Sequence, residues 1–302
     1  MRIYTQLDQI PQATTPVVAT IGNFDGVHLG HRSVIDEVIA RAHFLSGLSL
    51  AITFDPHPAR VLRPEQRFPL ITPLPRKLEL LAETGIDATL VIPFTESFCH
   101  MSARDFATNI LRDGIHASEV HEGENFRFGY RAEAGIDGLG ELGRQLGFTV
   151  RSYAPRTLRG GPISSSRIRT LLTEGQVSAA RALLGCPFAI DSTPASGRGY
   201  GTRYAVPTIN LAPYSELLPA HGVYITTLKI GSGDRAETFE AVTNIGNRPT
   251  FGADSFATES HLLNFHPIAL EEETPLRLTF LRRVRAEQKF PTPELLRAQI
   301  LR

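Results

Sequence analysis

The chain has little of what disulfide-rich and sulfur-ligated metal proteins need. Its 302 residues include two cysteines, Cys99 and Cys186, two methionines and no tryptophan. Two cysteines are too few for a disulfide framework or for a tetrahedral zinc site built from cysteines. We therefore expect a protein of the reducing cytoplasm.

An excess of charge and long apolar runs are also missing. Lys+Arg and Asp+Glu are both 31, so the formal net charge is +0. This balance gives no support for binding to nucleic acid or a membrane surface. No uncharged stretch approaches the ~18 residues of a membrane span, and the first residues lack the basic and then apolar order of a leader peptide. We expect small-molecule partners, and the oligomeric state stays open.

The sequence excludes a Walker P-loop and gives no support for a Rossmann dinucleotide-binding site. The three lysines, Lys77, Lys229 and Lys289, do not follow a glycine, which excludes a Walker P-loop. Residues 138–143 spell Gly-x-Gly-x-x-Gly, but residues 131–137 are not an apolar strand, and no acidic residue follows about 20 positions later. A nucleotide site in this chain must use another motif.

Short apolar runs alternate with helical patterns from residue 16 to about residue 185. The strand-like runs are Val17–Ile21, Leu48–Thr53, Ala88–Ile92, Val120–Glu122 and Phe148–Ser152. Helical patterns occupy residues 32–45, 75–84, 103–112, 138–146, 166–174 and 177–184. This alternation predicts an α/β domain, residues 1–185, with a doubly wound parallel sheet covered by helices on both faces.

The pattern changes around Gly185. From there, short β-like runs are separated by glycine, proline and asparagine turns, as at Gly222–Ile230, Thr238–Thr243 and Leu276–Phe280. Such spacing predicts a small antiparallel β-barrel in a second domain, residues 186–302. A threonine, proline and glutamate at 292–294 predict a terminal helix that ends near Leu301.

The run from Gly22 to His31 is the most informative stretch of the sequence. It joins a predicted buried strand to a predicted helix, and Gly22, Gly26 and Gly30 allow turn conformations and close approach to a ligand. A helix that begins there directs free N–H groups at an anion, which suits phosphate. His28 and His31 can donate hydrogen bonds to a phosphoryl group as it gains charge. We predict that Phe24 and Asp25 of the same loop also take part in phosphate binding.

Simpler interpretations of the two histidines stay open. Each could cap the helix or pair with the backbone, and neighbouring histidines can also bind zinc. However, no cysteine or carboxylate stands at ligand spacing from His28 and His31. The glycines and the strand-turn-helix context favour nucleotide binding.

A second anion pocket is predicted at the start of a later helix. Ser164, Ser165 and Ser166 open this helix, so their hydroxyls and backbone N–H groups can bind phosphate. Arg167 and Arg169 add charge-assisted donors. The alternative is an ordinary helix cap followed by solvated arginines.

Together with further motifs, the run from Gly22 to His31 resembles the bacterial bifunctional riboflavin kinase/FAD synthetases, whose first half belongs to the nucleotidylyltransferase superfamily. The further motifs are at residues 53–58, 123–129, 163–169, 206–211, 222–224, 244–252 and 259–263. The resemblance covers nearly the whole chain. It implies that the barrel makes FMN from riboflavin and ATP with Mg²⁺, and that the first domain makes FAD from FMN and ATP.

The resemblance also implies roles for individual residues. In the first domain, His28, His31 and Arg167 would be catalytic, while Asp55, His57, Asn125 and Phe128 would bind flavin. In the second domain, Glu259 would be the general base, Thr208 and Asn210 would bind magnesium, and Arg285 would bind flavin. The close spacing of Gly197, Gly199 and Gly201 lets several backbone N–H groups face one anion, so we expect them to cradle ATP. A core position for Phe128 and a turn-stabilising role for His57 are the alternatives.

The kinase motifs depart from the family pattern. Ala205 stands where glycine is usual, Thr202 where a basic residue is often found, and Asn264 where aspartate is common. One alternative therefore keeps only the adenylyltransferase and treats the barrel as a flavin-binding or assembly module. Two others are a nucleotidylyltransferase for a different acceptor and a flavin-responsive regulator without turnover.

Overall fold

The computed structural model describes residues 1–10, 15–195, 208–247, 256–266, 268 and 270–287. The chain divides into two compact units, Met1–Arg167 and Ile168–Arg302. The predicted helix that ends near Leu301 lies outside the described residues. The predicted boundary between residues 185 and 186 stays a prediction.

Within the described part of the first unit, six parallel strands form one sheet. They are β1 (Arg2–Tyr4), β2 (Val17–Ile21), β3 (Leu48–Asp55), β4 (Ala88–Pro93), β5 (Ala117–Gly123) and β6 (Thr149–Tyr153). Their spatial order is β1-β4-β3-β2-β5-β6. Every residue of β2 is buried, because helices pack on both faces of a parallel sheet. The predicted doubly wound α/β fold is confirmed.

The strand order creates a crevice between β2 and β5. The chain runs from β2 through β3 to β4 on one side, and then returns to place β5 on the other side of β2. Pairing of β2 with β5 ends at Ala19 and Val120, short of the carboxyl end of either strand. Ligands of open α/β sheets bind at such a switch point.

Helices connect the strands of this sheet: α1 (Leu29–Phe44), α2 (Pro58–Leu62), α3 (Leu74–Ala82), α4 (Glu96–Cys99), α5 (Ala103–Asp105, continued as a π-helix over Phe106–Arg112) and α6 (Ile136–Leu146). Two further helices, α7 (Ser165–Thr173) and α8 (Val177–Leu184), follow its last strand. Single 3₁₀ turns lie at Leu7–Gln9, Tyr130–Ala132 and Gly233–Arg235. No helix in the described ranges combines the length and apolarity that crossing a bilayer requires.

Some short elements differ from the sequence-based expectation. The edge strand β1 and the short helices α2 and α4 were not predicted, since three to five residues carry too little periodicity. Helix α1 begins at Leu29, three residues before the predicted start at 32, because the side chain of His28 caps it.

In the described part of the second unit, six strands form one antiparallel sheet. They are β7 (Ala189–Ser192), β8 (Thr208–Leu211), β9 (Gly222–Ile230), β10 (Glu237–Asn247), β11 (Phe256–Leu262) and β12 (Leu276–Arg285), in the order β7-β12-β9-β10-β11-β8. A bridge between Pro194 and Leu211 joins the two outer strands, so the sheet curls back on itself. This agrees with the predicted barrel.

The inner face of the barrel contains a short chain of buried hydroxyl groups. Thr226 Oγ1 lies 2.7 Å from Thr243 Oγ1, which lies 2.8 Å from Ser260 Oγ. Mutual hydrogen bonding satisfies these groups, which burial would otherwise penalise. Because side chains alternate along a strand, Glu259 belongs to the opposite face of β11.

Candidate active sites

The loop between β2 and α1 has an unusual backbone. Phe24 (φ 47°), Gly26 (φ 90°) and Val27 (φ 38°) all occupy the left-handed region. Glycine tolerates this conformation, whereas a phenylalanine and a β-branched valine are strained in it. Such strain persists where the surrounding structure enforces it, and it concentrates at functional sites.

The side chain of Asp25 anchors this loop to the segment at residues 71 and 72. Its buried carboxylate accepts hydrogen bonds from the backbone N–H groups of Ile71 (3.2 Å) and Thr72 (2.9 Å). The hydroxyl of Thr72 accepts in turn from the N–H of Gly26 at 2.8 Å. The carboxylate therefore holds two backbone segments together.

His28 is the N-cap of α1. Its Nδ1 accepts a hydrogen bond from the backbone N–H of His31 at 3.2 Å, and its side chain is 5% exposed. Since Nδ1 accepts, the ring proton of the neutral imidazole belongs on Nε2. Burial lowers the pKa of His28 to about 4, so the ring is a neutral donor at neutral pH.

The ring of His31 stacks on the ring of His28. Their centroids are 3.6 Å apart with an interplanar angle of 12°, and Phe24 meets the His31 ring edge-on at 5.2 Å. Burial, followed by the charges of His28 and Lys77, lowers the pKa of His31 well below its usual value. Nδ1 of His31 is enclosed and has no hydrogen-bond partner among the described residues. An enclosed polar nitrogen of this kind is suited to a hydrogen bond with a ligand.

The serine segment lies against the histidine loop. The hydroxyl of Ser165 donates to the backbone oxygen of Asp25 at 2.8 Å. A Cβ on Gly30 would come 3.1 Å from the His28 ring and 3.3 Å from the backbone oxygen of Ile163, so this position suits glycine. Ser164 caps α7 by accepting from the N–H of Arg167 at 3.3 Å. The structure thus brings both predicted phosphate-binding segments of the first unit together.

The guanidinium of Arg167 contacts backbone oxygens. It donates to those of Leu158, Arg159, Gly161 and Pro162 at 2.8 to 3.2 Å. These residues form two short antiparallel strands and the turn between them. Arg167 therefore holds this hairpin against the start of α7, which the sequence alone did not indicate. Ser166 and Arg169 lie on α7 itself.

Two predicted flavin-binding residues follow β3. Asp55 is its last residue and is exposed. His57 is buried and caps α2 by accepting from the N–H of Ala59 at 3.1 Å, and its ring stacks on Phe68 with centroids 4.7 Å apart. The structure therefore gives His57 the turn-stabilising contact that the sequence left as an alternative.

The other two flavin candidates of this unit follow β5. Asn125 is exposed in the turn between β5 and the short strand Arg127–Phe128. Phe128 is 9% exposed and belongs to the hydrophobic core, where it meets Phe106 edge-on at 5.8 Å. Its packing agrees with the core alternative.

Two buried ionisable residues near the carboxyl ends of the strands were missed by sequence reasoning. Lys77 of α3 is 2% exposed, and Glu122 of β5 is 4% exposed. The Glu122 carboxyl accepts from the backbone N–H of Ile21 and from the hydroxyl of Thr20, and burial raises its pKa well above the usual value. Glu122 thus joins the ends of β2 and β5 where their strand pairing has ended. No sequence motif marks either residue.

The kinase candidates of the second unit lie on one face of the sheet. Asn210 stands directly opposite Glu259, which on its other side stands opposite Asn244. Thr208, two residues before Asn210, lies on the same side of β8. All four side chains are on the face opposite the buried hydroxyl chain.

The remaining kinase predictions have less structural support. Gly197, Gly199 and Gly201 lie outside the described residues. Arg285 ends β12, where its Nη1 donates to the backbone oxygen of Ala286 at 3.1 Å. The predicted cradle and the flavin contact of Arg285 stay predictions.

Comparison with known proteins identifies the family. Residues 10–167 match the family model of FAD synthetase, and residues 184–302 match the family model of riboflavin kinase. The chain belongs to the bifunctional riboflavin kinase/FMN adenylyltransferase family. Two such relatives come from Pseudomonas fluorescens, 32% identical over 284 residues, and Escherichia coli K12, 31% identical over 297 residues. The alignments cover 94% and 98% of this chain, and 89% and 92% of the relatives.

A solved structure shares the fold. The crystal structure of a Streptococcus pneumoniae protein described as a macrolide-efflux protein matches with a TM-score of 0.88 at 23% identity. It covers 99% of this chain and 95% of its own. At this identity the likeness concerns the fold alone. The family assignment rests on the family models and the sequence relatives.

Proposed function

We propose that this chain phosphorylates riboflavin to FMN with ATP in its second unit and adenylylates FMN to FAD with ATP in its first unit. The proposed domains are residues 1–185 and 186–302. The observation that carries the adenylyltransferase proposal is the buried His28 ring, with Nδ1 engaged and Nε2 left to donate. Family membership supports both reactions. We place them in the cytoplasm because two cysteines in 302 residues fit a reducing compartment.

In the adenylyl transfer, an oxygen of the FMN phosphate attacks the α-phosphorus of ATP. The bond from that phosphorus to the bridging oxygen breaks, and pyrophosphate leaves with the bonding electrons. Negative charge grows on the leaving group, where His28 Nε2–H donates. A preorganised donor of this kind is worth about 3 kcal/mol in the transition state. His31, stacked beside it, makes the second phosphate contact.

The start of α7 completes the phosphate site. Ser164, Ser165 and Ser166 stand at the N-terminus of this nine-residue helix, where the helix dipole favours an anion. Arg169 adds positive charge one turn further on. We propose that Arg167 contributes by holding the hairpin that borders the site. Asp25 and Phe24 shape the histidine loop and do not contact phosphate themselves. The Asp25 carboxylate is bonded to backbone N–H groups, and a carboxylate that faced the phosphate would repel it.

We assign the flavin acceptor to the turns that follow β3 and β5. Asp55 and His57 follow β3, and Asn125 follows β5. The carboxyl ends of parallel strands share one edge of the sheet, so these turns and the histidine loop border one crevice. Phe128 supports the crevice from the core below.

In the riboflavin kinase reaction, Glu259 acts as the general base. It accepts the proton of the primary hydroxyl of riboflavin as that oxygen attacks the γ-phosphorus of ATP, and ADP leaves. The register that places Asn210 opposite Glu259 supports this assignment, because the base and the proposed metal ligands share one face.

The oxygen-bearing side chains near Glu259 fit magnesium. Thr208 offers a hydroxyl and Asn210 an amide oxygen, and Mg²⁺ prefers oxygen ligands together with substrate phosphates. Bound Mg²⁺ would neutralise charge on the ATP phosphates. Among the described residues there is no cluster of three His, Cys, Asp or Glu side chains able to hold a metal ion.

The proposal is tested by a product time course. The full chain is incubated with riboflavin, ATP and Mg²⁺, and the flavins are separated by chromatography. FMN should appear first and FAD later. FAD formation from FMN without FMN formation from riboflavin would support an adenylyltransferase with a flavin-binding barrel. Transfer to a pyridine mononucleotide or phosphopantetheine in preference to FMN would overturn the acceptor assignment.

A further inference from the structure

The ammonium group of Lys77 is buried at the edge of the histidine loop. Lys77 is 2% exposed and lies on α3. Its Nζ donates to the hydroxyl of Thr53 at 3.4 Å. No carboxylate of the described residues lies within ion-pair distance of it. An ammonium has three donors, so one long hydrogen bond leaves it poorly satisfied.

The nearest acidic groups do not meet this need. The charges of Asp25 and Asp55 raise the pKa of Lys77, while burial, the larger effect, lowers it. The Asp25 carboxylate is already bonded to backbone N–H groups of residues 71 and 72. A buried charge without a close partner is costly, and an anionic ligand would remove that cost.

The position of Lys77 points to a phosphate ligand. Thr53, its hydrogen-bond partner, in turn donates to the backbone oxygen of Asn23 at 3.4 Å, which links the end of β3 to the histidine loop. The ammonium therefore lies near the end of β3, one hydrogen-bonded residue away from the loop that carries the proposed ATP-binding histidines. The charge of Lys77 also contributes, after burial and His28, to lowering the pKa of His31, so the ammonium acts electrostatically on the histidine loop.

We propose that Lys77 is a further catalytic residue of the adenylyl transfer, whose ammonium binds a non-bridging oxygen of the ATP α-phosphate. The inference rests on the proposed adenylyltransferase function. As the FMN phosphate oxygen bonds to the α-phosphorus and the bond to pyrophosphate breaks, charge on the non-bridging oxygens is balanced by Lys77. The ammonium neither gains nor loses a proton.

The test compares Lys77→Met with Arg76→Met in the full chain. Arg76 precedes Lys77 on α3, but its guanidinium is paired with Glu79 at 2.7 Å. In Lys77→Met, kcat for FAD formation from FMN should fall about 10²-fold or more. FMN formation from riboflavin should continue, which shows that the second unit is folded, and a melting temperature of the first unit near wild type shows the same for the unit that contains Lys77. Arg76→Met should form FAD at the wild-type rate.

A stereochemical measurement separates phosphate contact from a structural role. The two diastereomers of ATP with sulfur on the α-phosphate differ in which non-bridging oxygen is replaced. The ratio of their FAD-forming rates should change in Lys77→Met and stay unchanged in Arg76→Met. A slower Lys77→Met enzyme with the wild-type ratio would overturn the proposal, as would a wild-type rate.

Two further measurements cover the remaining outcomes. If Lys77→Met also loses kinase activity, Lys77→Arg is the second variant, because it keeps the positive charge. Lys77→Arg should restore part of the FAD formation and part of the wild-type diastereomer ratio. No recovery in a folded Lys77→Arg protein would contradict the proposal.

FAD binding, followed by flavin fluorescence, should weaken in Lys77→Met. If FAD binding depends on Lys77 but the wild type forms no FAD from FMN, Lys77 binds an anion and the proposed adenylyltransferase function is wrong. Unchanged FAD binding in Lys77→Met would count against the site itself.

Discussion

The backbone N–H of His31 donates to Nδ1 of His28 at 3.2 Å, and the two imidazole rings stack with centroids 3.6 Å apart. This single hydrogen bond caps helix α1 and also fixes which nitrogen of His28 carries the proton. One residue therefore serves stability and chemistry through different ring atoms. Separating the two roles requires a substitution that keeps the cap and removes the donor.

His28→Asn should separate capping from phosphate binding. Asparagine is a good N-cap but cannot donate from the position of Nε2. We expect FAD formation from FMN to fall about 10²-fold while the melting temperature stays near wild type. His28→Ala should lose the same activity and also about 1 kcal/mol of stability. Steady-state assays and thermal melts measure these effects.

The kinase reaction is the internal control for both histidine variants. Riboflavin phosphorylation should continue at the wild-type rate, since it belongs to the other unit. The same loss of FAD formation, with kinase activity retained, is expected for His31→Ala. Unchanged FAD synthesis in a folded variant would remove the catalytic role from that histidine.

Arg167→Ala should loosen the hairpin that the guanidinium holds. Four hydrogen bonds to backbone oxygens are lost, so trypsin should cut faster at Arg159 in the turn. The apparent KM for ATP in FAD formation should rise, because the hairpin borders the proposed phosphate site. Arg167→Lys should recover only part of both effects, since an ammonium lacks the planar fork. Full activity of the alanine variant at low ATP would contradict this assignment.

Glu259→Gln tests the proposed kinase base. A general base is worth about 10²- to 10⁴-fold, so FMN formation should fall by that factor while FAD formation from supplied FMN persists. Glu240→Gln is the matched control, because Glu240 is exposed on the same face of the sheet. Equal FMN formation by Glu259→Gln and wild type would exclude Glu259. If the wild type makes no FMN, the barrel is a binding module.

Glu122→Gln should change the pH dependence of stability. The folded state raises the pKa of this buried carboxyl well above 4.5, so it keeps a proton that the unfolded chain loses. Wild-type stability from this group is therefore present at low pH and is lost as the pH rises above the unfolded pKa. Glutamine keeps the acceptor for the N–H of Ile21 and has no proton to lose.

The melting temperature of Glu122→Gln relative to wild type should therefore increase between about pH 5 and pH 8. Exposed Glu124, two residues further on, provides the control variant Glu124→Gln, which should track wild type at both pH values. A constant difference across this range would show that Glu122 does not titrate as inferred.

Local pattern explains why so much of the fold was predictable. All five residues of β2 are apolar or small, and the predicted bounds 17–21 match the structure because a buried parallel strand needs such a run. The capping segment at Ser164 and the strand Gly222–Ile230 were equally visible, since caps and alternation are properties of neighbouring residues. Short elements such as α2 escaped prediction because they lack a full period.

The sequence by itself determined the two-part α/β and β-barrel architecture, the position of the histidine loop after a strand, and the helix start at the serines 164–166. Only the tertiary structure decided that Asp25 bonds to the backbone of residues 71 and 72, and that Lys77 is buried near the end of β3 and Glu122 near the end of β5. The physical reason is that periodicity and capping act between near neighbours. The burial of a charge depends on which distant segments meet around it.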